Sequence, residues 1–307
     1  LQHNLNAKET RIVSQLVRNH LLMSVTAQRK DISDPDVVRE FAHQVGSMNM
    51  LNYLYLHTVA DIRSTNPKLW NNWKDALFQQ LYTATRNIIR RGIENAPDIE
   101  EIIQENKDAA FDLMRNLPYA QQAIIDQCDQ LPGDYFLRHH PLEIRWHVDT
   151  ILGSPEQSTL VRVRQATHSK TTKVFVYCDE NPNVFSQVTG ALGSLGLSIL
   201  NAEIFTTQND KIMDTFIIQD HNSQSITEPS IVNQIEEALI KAFKSKTIYK
   251  PVINKRRHRH QKAFNHPTQI QFEQDTANQR TVMEISAMDM PGMLSTISNV
   301  IALNKIN

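Results

Sequence analysis

The sequence predicts a helical first half, followed by an α/β sandwich of the ferredoxin-like βαββαβ type and then the beginning of a second such unit. Three observations predict this fold class. Apolar residues recur at helical spacing up to about residue 155, and after it they alternate as in strands. The strand-and-helix pattern of the second half then begins again near the end of the chain.

Apolar stripes at helical spacing predict a series of helices in the first half. One begins at Ser33 as N-cap, with Pro35 in its first turn, and ends at Gly46. A long stripe from Leu69 ends in the same way at Gly92, because glycine readily takes the left-handed conformation at a helix C-terminus. The other predicted helices cover residues 12–21, 54–66, 99–115, 119–130 and 141–152.

The second half alternates between strand and helix patterns. The tripeptide QND, residues 208–210, is a hairpin turn signal between two predicted strands. The predicted strands cover residues 159–167, 172–178, 197–207, 211–219 and 247–252, and the predicted helices cover residues 185–195 and 231–243. We interpret this order of elements as the βαββαβ unit.

An internal repeat supports the second unit. The stretch KVFVYCDENPNVFSQVTGALGSLGLSI aligns with TVMEISAMDMPGMLSTISNVIALNKIN when Pro182 is placed on Pro291, and apolar positions such as Val188 and Ile297 then coincide. Repetition of a supersecondary unit is a strong sign of how a chain is organised. The second copy is incomplete, and a basic stretch, NKRRHRHQKAFNHP, precedes it.

Composition excludes several classes of protein. The 307 residues suffice for two or three domains, and the formal net charge of -1 gives no bias towards nucleic acid or membranes. Cys128 and Cys178 are far apart and lack metal-ligand spacing, which fits a reducing cytosol. No stretch has membrane-spanning length or a signal-peptide pattern. Because the chain begins at Leu1 rather than Met, we interpret it as an internal segment of a longer protein.

Asp61 is the unusual residue of the helical half. The apolar residues of the helix over 54–66 predict a buried face, and Asp61 is set among them, near the helix C-terminus. A buried carboxylate is costly without a partner, and the helix dipole disfavours negative charge at this end. Asp61 is therefore either paired with a neighbour such as Arg63 or required for a site.

Several stretches resemble one family, the bifunctional PII uridylyltransferase/uridylyl-removing enzymes. LVRNHLLMSVTAQRKDISDPDVVREFA and LYLHTVADIRSTNPKLWNNWKDALFQQLY resemble the second half of its HD domain, and DYFLRHHPLEIRWH resembles the segment before its regulatory region. The stretches KVFVYCDENPNVFSQVTGALGSLGLSILNAEIFTT and MEISAMDMPGMLSTI resemble its two ACT domains. The resemblance covers nearly the whole chain in order.

The resemblance implies a domain organisation. A nucleotidyltransferase domain and the His-Asp pair of the HD domain are expected upstream of residue 1, together with the main catalytic residues. The chain contains no His-Asp dipeptide, so we expect it to be inactive alone. The implied segments are a partial HD domain (1–92), a helical bridge (93–155), a first ACT domain (156–254), a basic and polar linker (255–278) and a truncated second ACT domain (279–307).

The resemblance also assigns candidate metal ligands. It implies that Asp61 and His20 bind a divalent metal, Mg or Mn. The position of His57, one helical turn before Asp61, makes it the candidate residue to orient that carboxylate. Such a metal activates water and polarises a phosphoryl oxygen. On residue pattern alone, a histidine on an apolar helix face is more often a hydrogen-bonded core residue. Packing is the simpler interpretation of His57.

The implied effector sites lie at the turn after the first strand of each ACT domain, where glycine lets a ligand approach backbone N–H groups at a helix N-terminus. The second copy has the expected Pro-Gly, whereas the first has Asn in the glycine position. On pattern alone, a turn that merely caps the helix explains either segment. The candidate effector-binding residues are Glu180, Asn181, Pro182 and Asn183 in the first copy and Asp289, Met290, Pro291 and Gly292 in the second.

The implied partners are the PII signal protein, glutamine as allosteric effector, and UTP and UMP through the full-length enzyme, in the cytoplasm. A different hypothesis is a non-catalytic amino-acid-binding ACT module on a helical scaffold. The basic run from Lys255 to His260 raises a third, RNA binding. It is short and lacks interleaved aromatic residues, so a solvated linker explains it better.

Overall fold

The structure is a computed structural model, and it describes residues 5–66, 69–93, 98–165, 171–245, 267–275, 280–287 and 293–304. The chain divides into two compact units. The first comprises residues 1–180 and 200–232, and the second comprises residues 181–199 and 233–307. Within the described residues, no helix is long and apolar enough to cross a membrane.

The N-terminal helices of the first unit surround one core, to which Phe41, Leu51 and Phe78 contribute fully buried side chains. The helix predicted over 12–21 already ends at Arg18, and residues 19–21 form a turn that leads into a second helix. The α3 N-cap is Asp34 rather than Ser33, because the Asp34 side chain accepts the Asp36 N–H. These helices are α1 (Ala7–Arg18), α2 (Leu22–Arg29), α3 (Pro35–Val45), α4 (Met48–Thr65) and α5 (Asn72–Arg91).

Two predicted helix ends are confirmed. Gly46 ends α3 in the left-handed conformation, with φ 73°, which a side chain would disfavour. Gly92 follows α5 and also has a positive φ, 93°. The bridge helices that follow are α6 (Ile99–Met114), α7 (Gln121–Asp129), α8 (Gly133–Arg138) and α9 (Pro141–Leu152). The sequence did not predict α8, because its six residues are too few to show a helical period.

The sheet of the first unit has the strand order β1-β2-β4-β3. β1 pairs antiparallel with β2, on the side of β2 away from β4. In a ferredoxin-like unit that side belongs to the last strand, predicted over 247–252, which lies outside the described residues. The strands are β1 (Leu160–Gln165), β2 (Thr172–Asp179), β3 (Ser198–Glu203) and β4 (Lys211–Gln219).

The bridge helices pack on one face of this sheet. Phe136 and Ile144 from the helices share one hydrophobic core with Phe175 and Met213 from the strands. On β2 and β4, the cross-strand partners Phe175 and Thr215 both point towards the helices. The bridge, predicted as a segment separate from the sheet, therefore folds with it.

The second unit holds the helices of the repeat. Its helix α12 (Met293–Leu303) occupies the positions of α10 (Val184–Ser194) when Pro182 is placed on Pro291, so this part of the predicted repeat is confirmed. The predicted linker over 255–278 is wrong in its last part, because residues 269–275 form a strand. The remaining elements are α11 (Pro229–Ser245) and the antiparallel pair β5 (Gln269–Asp275) and β6 (Arg280–Ser286).

Candidate functional site

Asp61 lies on α4, but its side chain is exposed, so the prediction that it is a buried charge is wrong. Leu51, Leu54 and Thr58 form the buried side of α4, and Asp61 continues that line at helical spacing. The last turn of the helix extends past most of the core, which leaves residues 63–66 exposed. Leu56, predicted to be buried, is 64% exposed. Helical spacing therefore predicted which side of α4 carries Asp61, but it did not predict that the side chain is exposed.

The structure brings His20 and His57 together. His20 lies in the turn between α1 and α2 rather than on a helix face, and its Nδ1 is 2.8 Å from the carbonyl oxygen of Val17. The rings of His20 and His57 are 6.2 Å apart, and Asp61 follows His57 by one turn of α4. Among the described residues, the buried Nδ1 of His57 finds no hydrogen-bond partner. Across the residues that the structure describes, no three His, Cys, Asp or Glu side chains form a group that could hold a metal.

The candidate effector turn of the first repeat starts at Glu180, which is exposed. Further along, the Oδ1 of Asn181 accepts the N–H of Asn183, at 3.0 Å. Asn183 is the N-cap of α10, with φ -99°. This negative φ means that the backbone needs no glycine at this position of the first repeat. The second turn, Asp289–Gly292, lies outside the described residues.

Within the second unit, the helices of the two repeats meet through equivalent residues. The hydroxyl oxygens of Thr189 on α10 and Ser298 on α12 are 2.8 Å apart, and these residues share one position in the repeat. Each hydroxyl also lies near a carbonyl of its own helix, that of Ser186 at 3.2 Å and that of Ser295 at 3.0 Å. Contact between equivalent positions is the arrangement of a two-fold related pair.

A third group of titratable residues was not predicted. It lies between the bridge helices and the sheet, and we call it the buried polar cluster. His147 is fully buried and His139 is 2% exposed. The cluster consists of Tyr135, His139, Glu143, His147, Lys173, Glu203 and Thr215.

His147 is held neutral at the centre of this cluster. Burial, followed by the nearby charges of His139, Lys173 and Arg164, holds the pKa of His147 well below its ordinary value. Burial raises the pKa of the Tyr135 phenol well above its ordinary value, so the hydroxyl keeps its proton. That hydroxyl lies 2.7 Å from His147 Nδ1 and donates to it. The proton of His147 is therefore on Nε2, which faces Thr215 Oγ1 at 3.4 Å.

Two contacts with carboxylates complete the cluster. His139 Nδ1 donates to the Tyr135 carbonyl at 3.0 Å, and His139 Nε2 lies 3.1 Å from a carboxylate oxygen of Glu203. Burial raises the pKa of Glu203, although His139 opposes the shift. Lys173 pairs with Glu143. Burial opposes ionisation of Glu143, but Lys173 and then His139 outweigh it and hold the pKa of Glu143 below its ordinary value.

Aromatic rings enclose these groups. His147 stacks on Phe175 with ring centroids 4.1 Å apart, and Tyr135 stacks on His139 at 4.3 Å. Each titratable group thus faces another protein group, which suits a fixed link between helices and sheet. Two signals in the sequence could have revealed it: the charged and histidine-rich run RHHPLEIRWH, and Lys173 within an otherwise apolar strand.

Comparison with known proteins gives the following matches. The family model described as "Uridylyltransferase GlnD fifth domain" matches residues 98–150, which contain α6 to α8 and most of α9. The chain is 38% identical over 304 residues to a protein of Pseudomonas putida (strain W619) named "Bifunctional uridylyltransferase/uridylyl-removing enzyme", covering 97% of this chain and 34% of that protein. The protein of that name from Pseudomonas aeruginosa (strain LESB58) is 39% identical over 303 residues, with the same coverage.

These matches have a limited span. The chain covers about a third of the length of the curated relatives it matches. No solved structure matches the chain.

Proposed function

Because the chain belongs by homology to the bifunctional uridylyltransferase/uridylyl-removing enzymes and matches a C-terminal part of them, we propose that it carries part of the uridylyl-removing hydrolase domain and the ACT sensor region of such an enzyme. The whole enzyme adds uridylyl groups from UTP to the PII signal protein and removes them as UMP, in the cytoplasm. One observation carries this proposal: the match extends over 97% of the chain.

In this proposal the N-terminal helices supply part of a divalent metal site, for Mg or Mn. Asp61 offers an exposed carboxylate, and His20 offers Nε2, since its Nδ1 faces the Val17 carbonyl. His57, beside His20, is the orienting residue. These residues alone are too few to enclose a metal, and the described part of the chain adds no third ligand to them. We therefore assign no catalytic step to the metal.

The proposed effector is glutamine, and the proposed sites are the turns Glu180–Asn183 and Asp289–Gly292. The N-terminus of α10 directs backbone N–H groups towards the first turn and suits the carboxylate of an amino acid. Asn183 adds a side chain but imposes no backbone strain, because its φ is negative. Glutamine control requires that the ligand bind two states of the enzyme with different affinity.

A replacement experiment tests the proposed function. In the Pseudomonas putida relative, the third of the protein that matches this chain is replaced by this chain. UMP release from uridylylated PII by the resulting enzyme is then measured with and without glutamine. We expect UMP release that glutamine increases, and we expect it to be lost with Asp61→Asn. The matched control is Asp36→Asn, an exposed carboxylate at the start of α3 that is outside the proposed site.

Two outcomes contradict the proposal in different ways. Failure of the exchanged enzyme to release UMP, with the fold intact, removes the hydrolase assignment. Calorimetric binding of glutamine without any UMP release favours the non-catalytic ligand-binding module instead. The chain on its own is expected to release little or no UMP, and robust release would contradict the view that it carries only part of the hydrolase site.

A further inference from the structure

The N-terminal helices and the sheet have separate hydrophobic cores. Phe41 and Phe78 belong to the first core, and Phe136 and Phe175 belong to the second. Among the described buried residues, none belongs to both cores. A change in the sheet can therefore reach the N-terminal helices through polar contacts between the two regions.

Arg138 makes the best-defined of these polar contacts. Its guanidinium lies 2.6 Å from a carboxylate oxygen of Asp31, in the loop between α2 and α3. The two side chains are only 26% and 28% exposed, so water screens them less than a surface ion pair. By contrast, the Arg91 and Glu105 side chains, which pair between α5 and α6, are 48% and 52% exposed.

The next residue, His139, points the other way. Its ring is buried against the sheet, where Nε2 lies 3.1 Å from Glu203 and 3.4 Å from Thr215 Oγ1. Arg138 ends α8 and His139 is its C-cap. Two adjacent side chains at one helix end thus contact the two regions separately.

Asp31 connects this contact to the N-terminal core. It accepts hydrogen bonds from the hydroxyl and, at 3.1 Å, the N–H of Ser33, and its own carbonyl accepts the N–H of Asp34 at 3.1 Å. Asp34 is the N-cap of α3. The geometry at Asp31 therefore sets the start of α3, whose Phe41 and neighbours pack in the core that also holds α4.

We propose that Arg138 and His139 form a joint that couples the sheet to the N-terminal helices, so that a rearrangement of the sheet changes the start of α3. As a route of regulation it rests on the proposed function, which supplies both the effector and the hydrolase domain. The coupling itself is a property of this chain and needs neither ligand nor activity to be measured. It must also be reciprocal, as all coupling of equilibria is.

A double-mutant cycle tests the joint in the 307-residue chain. Amide hydrogen exchange at residues 36–39, the first turn of α3, is measured for Glu203→Gln, for Asp31→Asn and for the double variant. We expect the effects on the opening equilibrium to deviate from additivity by about threefold or more. The control cycle replaces Glu203→Gln with Asp179→Asn, which removes an ion pair with Lys211 elsewhere in the sheet and is expected to be additive.

Additive effects in both cycles would overturn the proposal, because two contacts that act independently of each other give additive effects. Equal deviations in both cycles would also overturn it, since they would reflect a general loss of stability. If Glu203→Gln does not fold, the reciprocal measurement decides. Arg138→Gln is then expected to speed amide exchange at residues 200–203 of β3 by about threefold or more. The control is Lys30→Gln, which removes an exposed ion pair with Glu40 next to Asp31 and is expected to leave this exchange unchanged. Equal exchange in these two variants would overturn the proposal.

Discussion

The two groups of titratable residues in the first unit differ in their surroundings. His20, His57 and Asp61 lie at one end of the N-terminal helices, with His20 and His57 partly buried and Asp61 exposed. The buried polar cluster instead lies between helices and sheet, and its histidines are almost completely buried. Removing charges from water is costly, so a buried group requires partners, whereas an exposed group is free to meet a ligand. The first group therefore suits a binding site and the second suits a structural link.

The comparison separates two roles that look alike in sequence. Asp61 is a charge in an apolar stretch of sequence, but at its exposed position the carboxylate reduces the stability of the fold little. Lys173, near the start of a largely apolar strand, is a charge that the fold must accommodate. Single substitutions in the two groups, and in the buried Asp214, test this difference, and most of them have a control variant in a different environment.

The largest effect is expected for Lys173→Met. The substitution leaves Glu143 buried without its main counter-charge, and we expect the free energy of unfolding to fall by about 3–5 kcal/mol. The control is Lys211→Met, which removes the ion pair with the exposed Asp179 and is expected to cost less than about 1 kcal/mol. Urea unfolding monitored by circular dichroism measures both values. Equal costs would mean that burial does not distinguish the two lysines.

Asp214 is a buried carboxylate on the face of β4 opposite Thr215. Burial raises the pKa of Asp214 from 3.8 to about 7, although an N–H of Phe205 works against the shift. The unfolded chain loses this proton near pH 4 and the folded chain keeps it until about pH 7. This group therefore makes the fold less stable as pH rises through that window.

Asp214→Asn is accordingly expected to remove this loss. Between pH 4 and pH 8, the variant should gain stability relative to the original chain by on the order of 3 kcal/mol, since each pKa unit corresponds to about 1.4 kcal/mol. Unfolding at a series of pH values measures this difference. A difference that does not change with pH would show that the carboxylate is ionised in the fold.

A smaller effect is expected for Tyr135→Phe. The substitution leaves Nδ1 of His147 buried without a donor, which costs about 1–2 kcal/mol. Tyr82→Phe is the matched control, because the Tyr82 hydroxyl donates to Asn52 over the same 2.7 Å at an exposed position. We expect the control to change the free energy of unfolding by less than about 0.5 kcal/mol. Similar losses in the two variants would contradict the special cost of the buried position.

Much of the fold followed from local pattern. The caps at Gly46 and Gly92 and the repeat that places Pro182 on Pro291 depend on single residues or on spacing, which a sequence displays directly. Burial depends on which elements pack together, and the sequence does not display that. Hence Leu56 was predicted to be buried and is exposed, and the packing of the bridge on the sheet was missed. Residues 269–275 were assigned to a linker, because their strand is largely exposed and has little apolar signal.

The smallest effect on stability is expected for Asp61→Asn. The side chain is exposed, so the free energy of unfolding should change by less than about 0.5 kcal/mol. Asp31→Asn is the matched control: it weakens the partly buried contact with Arg138 and is expected to cost about 1–2 kcal/mol. A loss above 1 kcal/mol for Asp61→Asn would give that residue a structural role. If Asp61→Asn leaves stability unchanged and abolishes UMP release in the exchanged enzyme, Asp61 serves binding and not folding. The difference between the two groups of titratable residues requires this result.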